Sequence, residues 1–208
     1  MRCSPQFLAG FDTTSNTLAL ASYELAVNDD VQRKLREEIL EVENTKTGET
    51  VTYDDLQKMK YLEKVVSEVL RKWPPAIAVD RIAVKDYNMN VDDFTLIIEK
   101  GRNLLIPIHA IHHDDKHFPN SQRFDPERFS EENKGVNNMD AYMPFGMGPR
   151  NCIASRFALM ELKSVLYCMI LNFQFKVCEK TQIPIKYEKS MVSTKMEKGV
   201  WVELKKIK

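Results

Sequence analysis

The spacing of apolar residues changes twice along the chain, and each change marks a boundary between kinds of structure. Up to Trp73 the apolar positions recur at helical intervals. Ser4-Pro5, followed by apolar and small residues, predicts an N-cap and a first-turn proline opening a helix to about Val27. Over Asn28–Val42, apolar Val31, Leu35, Ile39 and Val42 fall on one stripe with charges elsewhere, which predicts a second helix. The stretch ENTKTGET is a polar, glycine-containing loop. Thr52 is placed to cap a short helix to Met59, and a further helix over Tyr61–Trp73 is stopped by Pro74-Pro75.

From Ala76 the period shortens toward two. AIAVDRIAV, FTLII and NLLIPI have strand character and are separated by turns bearing Asp, Asn and Gly. The segment from His112 to Gly148 is predicted to hold short elements at most; a loop of that length in a compact domain is more often functional than idle. Ile153 to about Asn172 reads as a buried helix, and QIPIKYE with GVWVEL as a final strand pair. The chain is therefore expected to be mainly α with small β-sheets, an α+β fold, without internal repeats or low-complexity segments.

Charge narrows the choice of partners. With 30 basic and 30 acidic residues among 208, the formal charge is zero, so no long-range field draws the chain to nucleic acid. The longest uncharged run, Ser164 to Phe175, is well short of the roughly 18 residues of a membrane helix, and MRCSPQFLAG lacks the pattern of a signal peptide. Taken alone, the chain reads as soluble.

The cysteines, Cys3, Cys152, Cys168 and Cys178, have neither the spacing of a disulfide framework nor that of a zinc ribbon. Cys168, in an apolar helical run, is expected to be a small buried hydrophobe. Cys152 differs, because it stands at the junction between a glycine-bearing loop, PFGMGPRNC, and a helix. A helix N-terminus can lower a thiol pKa; Gly146 and Gly148 permit close approach by a flat ligand; and Arg150 could pair with a carboxylate on it. The alternative is a buried cysteine at a glycine-rich helix entry.

Three other constellations have a bland reading of their own. In AGFDTTS, Thr13 can return its hydroxyl to the Ala9 carbonyl and bend the helix into a polar notch, or Asp12 or Thr13 can cap a helix that starts later. Glu68 and Arg71 in EVLR lie one turn apart and would ordinarily be a solvated pair. FDPERFS is either a loop stapled to the core by its aromatics or a means of bringing Arg128 to a carboxylate elsewhere.

Taken together and in this order, AGFDTT, ExxR, PERF and Phe145-x-x-Gly148-x-Arg150-x-Cys152 resemble the signature set of the cytochrome P-450 haem-thiolate monooxygenases. The resemblance runs from Phe7 to Leu204. KYLEKVVSEVLRKWPP, DRIAVKDY, AIHHDDKHFPN and YMPFGMGPRNCIASRFALMELK look most like insect microsomal members that oxidise plant toxins and insecticides.

The resemblance implies haem b, with Cys152 as axial ligand of the iron. Phe145, Gly146, Gly148, Arg150, Arg81 and Ala154 would line the cofactor, with Arg150 and Arg81 on its propionates. Thr13 and Asp12 would act in catalysis, Thr13 by hydrogen-bonding dioxygen and Asp12 by helping deliver protons. Glu68, Arg71 and Arg128 would form a buried ion triad. Phe7, Leu8, Ala76, Ile77, Ala78, Val79, Met191 and Val192 would contribute to the substrate pocket.

It implies further a lipophilic substrate, such as a xenobiotic, plant toxin or endogenous lipid. Electrons would come from NADPH through NADPH-cytochrome reductase, with cytochrome b5 as an additional partner, and Arg150, Arg156 and Lys163 are expected on the docking side. The full-length protein would sit on the cytoplasmic face of the endoplasmic reticulum membrane.

Two departures stand out. Ala154 replaces the usual glycine two residues after the cysteine, which is expected to alter sulfur hydrogen bonding and redox potential more than haem binding. The chain also begins at the oxygen-binding helix, so residues 1–208 are expected to form one partial domain, a C-terminal fragment or incomplete gene model without the membrane anchor and N-terminal half. Two other expectations follow: a catalytically inactive haem-binding fragment, and a metal-binding loop protein built on His109, His112, His113 and His117 with Cys152.

Overall fold

The computed structural model describes residues 5–46, 48, 50–91, 94–133, 135–188 and 196–207, with backbone alone for residues 5–8 and Val91. Helices α1 (Pro5–Val27), α2 (Asp29–Thr45), α4 (Lys60–Lys72) and α6 (Ser155–Asn172) pack against one another. Each turns an apolar stripe inward: Leu20 and Leu25 from α1, Leu35 and Ile39 from α2, Leu62, Val65 and Val69 from α4, and Leu162, Leu166 and Ile170 from α6. Spacings of three and four residues keep such side chains on one helical face, so burial against the other helices stabilises each.

Thr52 caps the short helix α3 (Tyr53–Lys58) in a capping box with Asp55. Helix α4 has no side-chain cap of its own, since Met59 holds that position. Glu38, from α2, does the work: its carboxylate accepts the Tyr61 N–H at 2.7 Å and the Leu62 N–H at 2.8 Å. A negative group at a helix N-terminus also complements the helix dipole. Buried Gln32 acts similarly between α2 and strand β5 (Phe173–Lys176). Its oxygen accepts the Phe175 N–H at 2.7 Å, and its nitrogen donates to the Phe175 carbonyl at 2.9 Å.

Among the described residues, three antiparallel strand pairs accompany the helices. Strand β1 (Val79–Ile82) pairs with β4 (Asn103–Ile106), β2 (Tyr87–Val91) with β3 (Phe94–Ile98), and β5 with β6 (Glu203–Lys206). Short helix α5 (Ile108–His112) follows β4, and the stretch beyond it carries single 3-10 turns at Pro126–Phe129, Glu131–Asn133 and Met139–Ala141. This is the α+β architecture expected of the sequence.

Several details differ from expectation. The partner of β6 is Phe173–Lys176; QIPIKYE contributes only an isolated bridge between Tyr187 and Met196. NLLIPI ends its strand at Ile106, where Pro107 removes a donor and α5 begins. Strand β2 was hidden by Asn88 and Asn90, residues poor in strand propensity. Cys168 is exposed: Leu166 and Ile170 define the inward face of α6, and a residue two positions from either points away. Ser4 lies outside the described residues.

Replacing Glu38 by Ala is expected to cost about 1–2 kcal/mol by removing the only side-chain cap seen on α4. Urea unfolding checks this, and Glu38→Asp, too short to reach both amides, should behave like the alanine variant.

Candidate functional site

Glu68 and Arg71 have no exposed side-chain surface, and Arg128 is nearly as deeply buried. The surface-pair alternative therefore does not describe them. Arg71 meets Glu68 through a two-point contact, Nε to Oε2 at 2.7 Å and Nη2 to Oε1 at 2.9 Å. Its remaining donors reach the His112 carbonyl and the Ser121 carbonyl, each at 2.8 Å. Arg128 Nε stands 3.4 Å from Glu68 Oε2, while its Nη1 donates to the Pro119 carbonyl at 2.8 Å. Glu68 also accepts the Asp125 N–H at 2.9 Å. The carboxylate and two guanidinium groups thus satisfy one another and fix an irregular backbone from residue 112 to 128.

The histidines of that segment are committed within the fold. His112 is fully buried; its Nδ1 lies 3.1 Å from the Arg71 carbonyl and its Nε2 accepts the Met143 N–H at 3.0 Å. His109 and His113 stack with ring centroids 4.1 Å apart, and His113 Nδ1 lies 2.9 Å from the His109 carbonyl. His117 contacts the Asn138 amide. Burial pushes both His112 and His113 down to about 4 and lowers His109 as well. No group of three or more His, Cys, Asp or Glu side chains arranged to hold a metal ion occurs among the described residues, so the metal-loop expectation has no geometric support.

Beyond Met143 the chain enters the cysteine loop. The Gly146 N–H closes a turn onto the Met143 carbonyl at 3.0 Å, and the Cys152 N–H returns to the Phe145 carbonyl at 2.9 Å. Gly146 and Gly148 both have φ of +73°, a conformation that side chains disfavour, so the loop needs glycine at these positions. Phe145 packs against the helical core while Cys152 stays exposed. Ala154 takes the N-cap position of α6, so Cys152 lies just ahead of the helix rather than in its first turn. Arg150 and Arg156 are exposed.

Helix α1 packs on α6 and carries Thr13, whose hydroxyl donates to the Ala9 carbonyl at 2.7 Å. Because α1 is already helical from Pro5, the alternative in which Asp12 or Thr13 caps a later start is excluded. Arg81 donates to the Asp80 carbonyl on β1, and Ala76 to Val79 lead into that strand half-buried. Phe7 and Leu8 lie on α1 without described side chains, and Met191 and Val192 lie outside the described residues.

Lys163 departs from its expected place on a docking surface: its side chain is 5 % exposed and sits 3.7 Å from Glu63. A groove of about 420 Å³ runs between α2 and Pro126–Phe129, past Lys34, Tyr61 and Glu127, and holds none of the expected site residues. Sequence reasoning missed Glu38, the bonding of His112, Asn137, whose amide donates to the Arg128 carbonyl at 2.8 Å, and Tyr142, whose hydroxyl donates to the Ser67 carbonyl at 3.0 Å. Of these, His112 alone left a sign of itself, as one of two histidines set among Ile108, Ala110 and Ile111.

The residues around Cys152 suit a flat apolar group held by one thiolate. The thiol is accessible, and Met147, Ile153 and Phe157 expose large apolar surfaces close to it in the chain, Ile153 at 102 %. Apolar side chains in such number on a surface call for a covering partner. A Cβ placed on Gly10 or Gly148 would meet nothing within 4 Å, leaving open space at both positions.

A family model for cytochrome P450 matches residues 1–202. The chain belongs to the cytochrome P450 family. It is 48 % identical over 198 residues to cytochrome P450 9e2 of Blattella germanica, covering 95 % of this chain and 37 % of that protein. It is 42 % identical to the probable cytochrome P450 9f2 of Drosophila melanogaster, over 98 % of this chain and 39 % of the relative. Mouse cytochrome P450 3A41 is 46 % identical over 86 % of this chain and 34 % of its own length. The chain thus spans well under half the length of the curated P450 relatives it matches. No helix among the described residues is long and apolar enough to cross a membrane.

Removing one partner of the buried network strands a charge. Glu68→Gln or Arg71→Met should each destabilise the fold by roughly 3–5 kcal/mol, measured as a lower urea midpoint. Acid should act through the buried histidine. His112 binds its proton less tightly folded than unfolded, so its stabilisation is complete above the unfolded value near 6.5 and is lost as pH falls toward about 4. Urea midpoints should therefore fall between pH 6.5 and 4, and less steeply in His112→Gln.

Proposed function

We propose that the chain is the cysteine-bearing, C-terminal part of a single haem-thiolate monooxygenase domain that inserts one atom of dioxygen into a lipophilic substrate and reduces the other to water. The observation that carries this reading is Cys152, whose amide is pinned to Phe145 while its thiol is left accessible beside exposed apolar side chains. Haem b bound there would supply oxygen activation, and a thiolate ligand favours O–O cleavage. Two electrons per turnover would come from NADPH through a reductase, with cytochrome b5 as a second donor. The substrate class is lipophilic: xenobiotics, plant toxins or endogenous lipids. In its full-length form the protein would work at the cytoplasmic face of the endoplasmic reticulum membrane.

The chain's own residues take definite parts in this scheme. Cys152 Sγ must lose its proton to bind iron. Gly146 and Gly148, without Cβ atoms, would let a flat group approach the loop, Phe145 would pack near the sulfur, and Ala154 stands at the N-cap of the helix that follows the cysteine. Arg150 and Arg81 would hold propionates through charge-assisted bonds. The single hydroxyl proton of Thr13 already lies on the Ala9 carbonyl, so its outward side accepts. In place of donating to dioxygen as expected, Thr13 can accept a hydrogen bond from water or from an oxygen atom once it carries a proton, while exposed Asp12 can relay a proton from solvent. Ala76, Ile77, Ala78 and Val79, with Phe7, Leu8, Met191 and Val192, would supply this chain's share of the substrate pocket. Glu68, Arg71 and Arg128 hold the backbone that supports the loop. Arg156, exposed on α6, belongs to the reductase-facing side, and buried Lys163 does not.

A second reading, a chain that holds haem without turnover, is favoured by the extent of uncovered apolar surface at Ile153 and Phe157. The two separate in one experiment. The chain is loaded with haem, reduced and exposed to carbon monoxide, alone and as part of a longer chain of the relatives' length. A strongly red-shifted Soret band that disappears in Cys152→Ser is expected in both forms, with NADPH-driven substrate oxidation only in the longer one. Absence of the band from both would overturn the haem-thiolate reading. Thr13→Ala should keep the band and lower product formed per NADPH consumed, by roughly tenfold or more if proton handling passes through that hydroxyl.

A further inference from the structure

The Met143 amide can only donate, so the His112 Nε2 facing it at 3.0 Å must present a lone pair. In the neutral ring the proton then belongs on Nδ1, where it donates to the Arg71 carbonyl 3.1 Å away. The partners therefore settle the tautomer. The backbone carbonyl of His112 accepts from Arg71 Nη1 at 2.8 Å, so helix α4 grips this residue twice. The ring is held flat against Tyr142, centroids 5.7 Å apart and 22° between planes, with Phe118 at its edge. Tyr142 is itself tied to α4 by a 3.0 Å bond from its hydroxyl to the Ser67 carbonyl.

Met143 opens the cysteine loop. Its carbonyl closes the turn with Gly146, and the adjoining Phe145 carbonyl takes the Cys152 N–H. From the Arg71 carbonyl to the Cys152 amide there is thus one path of short contacts and turns, and His112 is its only side chain that bonds to both α4 and the loop. We infer that His112 is a positioning residue for the thiolate, setting where the cysteine loop starts relative to the helix that carries the buried ion network. Among the described residues, Glu68, Arg71 and Arg128 make no hydrogen bond to residues 143–152. It fixes residues 112 to 128, and His112 carries that order onward to Met143.

This inference rests on the reading of Cys152 as the haem ligand, and the test keeps the two apart. The haem-loaded protein is reduced under carbon monoxide, and the persistence of its thiolate-type Soret band is followed. Three variants divide the functions of His112: Gln places an acceptor near Nε2, Asn keeps only a donor near Nδ1, and Phe keeps ring stacking without either bond. Decay of the band is expected to accelerate roughly tenfold in His112→Phe and His112→Asn, with His112→Gln close to wild type and far-UV circular dichroism unchanged throughout. Wild-type persistence in the Phe or Asn variant would overturn the inference, as would equal loss in all three.

Should the Phe variant fail to fold, the wild-type carbon monoxide complex, which is diamagnetic, decides by nitrogen NMR. An unprotonated Nε2 coupled to the Met143 N–H is expected, and a protonated Nε2 would sink the inference. A wild-type protein lacking the red-shifted band would instead overturn the haem-thiolate reading, and the inference would fall with it.

Discussion

One carboxylate, Glu68, is held between two guanidinium groups in a place water does not reach, and much of the architecture follows from how that is made tolerable. Isolated, a buried charge of this kind would give up its ionisation. Two guanidinium groups and the Asp125 amide surround it, leaving an excess of positive charge that backbone carbonyls at His112, Ser121 and Pro119 offset. Those carbonyls belong to a segment whose own backbone hydrogen bonds close only short turns. The need to satisfy buried peptide groups and the need to satisfy the charges are met by the same bonds. An irregular stretch becomes as fixed as a strand without a ladder, and the cysteine loop starts from its far end.

The long helices were legible because the property that builds them is written at one spacing. Val31, Leu35 and Ile39 announce α2, and a proline pair announces the end of α4. What could not be read depends on partners distant in sequence. Nothing near Gln32 says that it will meet Phe175, and nothing near Lys60 says that its helix will be capped by Glu38 from another helix. The partner of the last strand was misplaced for the same reason. QIPIKYE alternates well enough, but the edge beside β6 is occupied by the four residues that continue straight out of α6. Cys168 shows a different failure. An apolar run fixes the presence of a helix but only its buried neighbours fix the rotation, and Leu162, Leu166 and Ile170 outrank a cysteine in setting it.

The candidate site was legible in another way. Glu68 with Arg71 looked like a surface pair, Arg128 like part of a loop, and Cys152 like a helix entry; physics applied to each alone favoured the bland description. Their order along the chain resembled a family, and the structure shows how three of them can depend on one another, through a buried charge that no local window contains. Lys163 is the counterexample. Proximity to the cysteine in sequence suggested a surface role, yet its position one residue after Leu162 turns it toward Glu63 and the protein interior.

Ala154, where the chain departs from the family's usual glycine, illustrates why a substitution in a signature has to be judged by backbone angle. Gly146 and Gly148 sit at φ of +73° and would resist any side chain. Ala154 sits at φ −95° and ψ 12°, a region open to every residue, so no conformational demand for glycine exists there. Its methyl also makes no hydrogen bond, and the N-cap of α6 consequently has no side-chain acceptor. The first amides of that helix are therefore left without a capping side chain at the end nearest Cys152. A Ser or Asp at the same position would cap them through its side-chain oxygen. Alanine leaves those amides without a side-chain acceptor, and an uncapped helix N-terminus favours a negative charge placed near it.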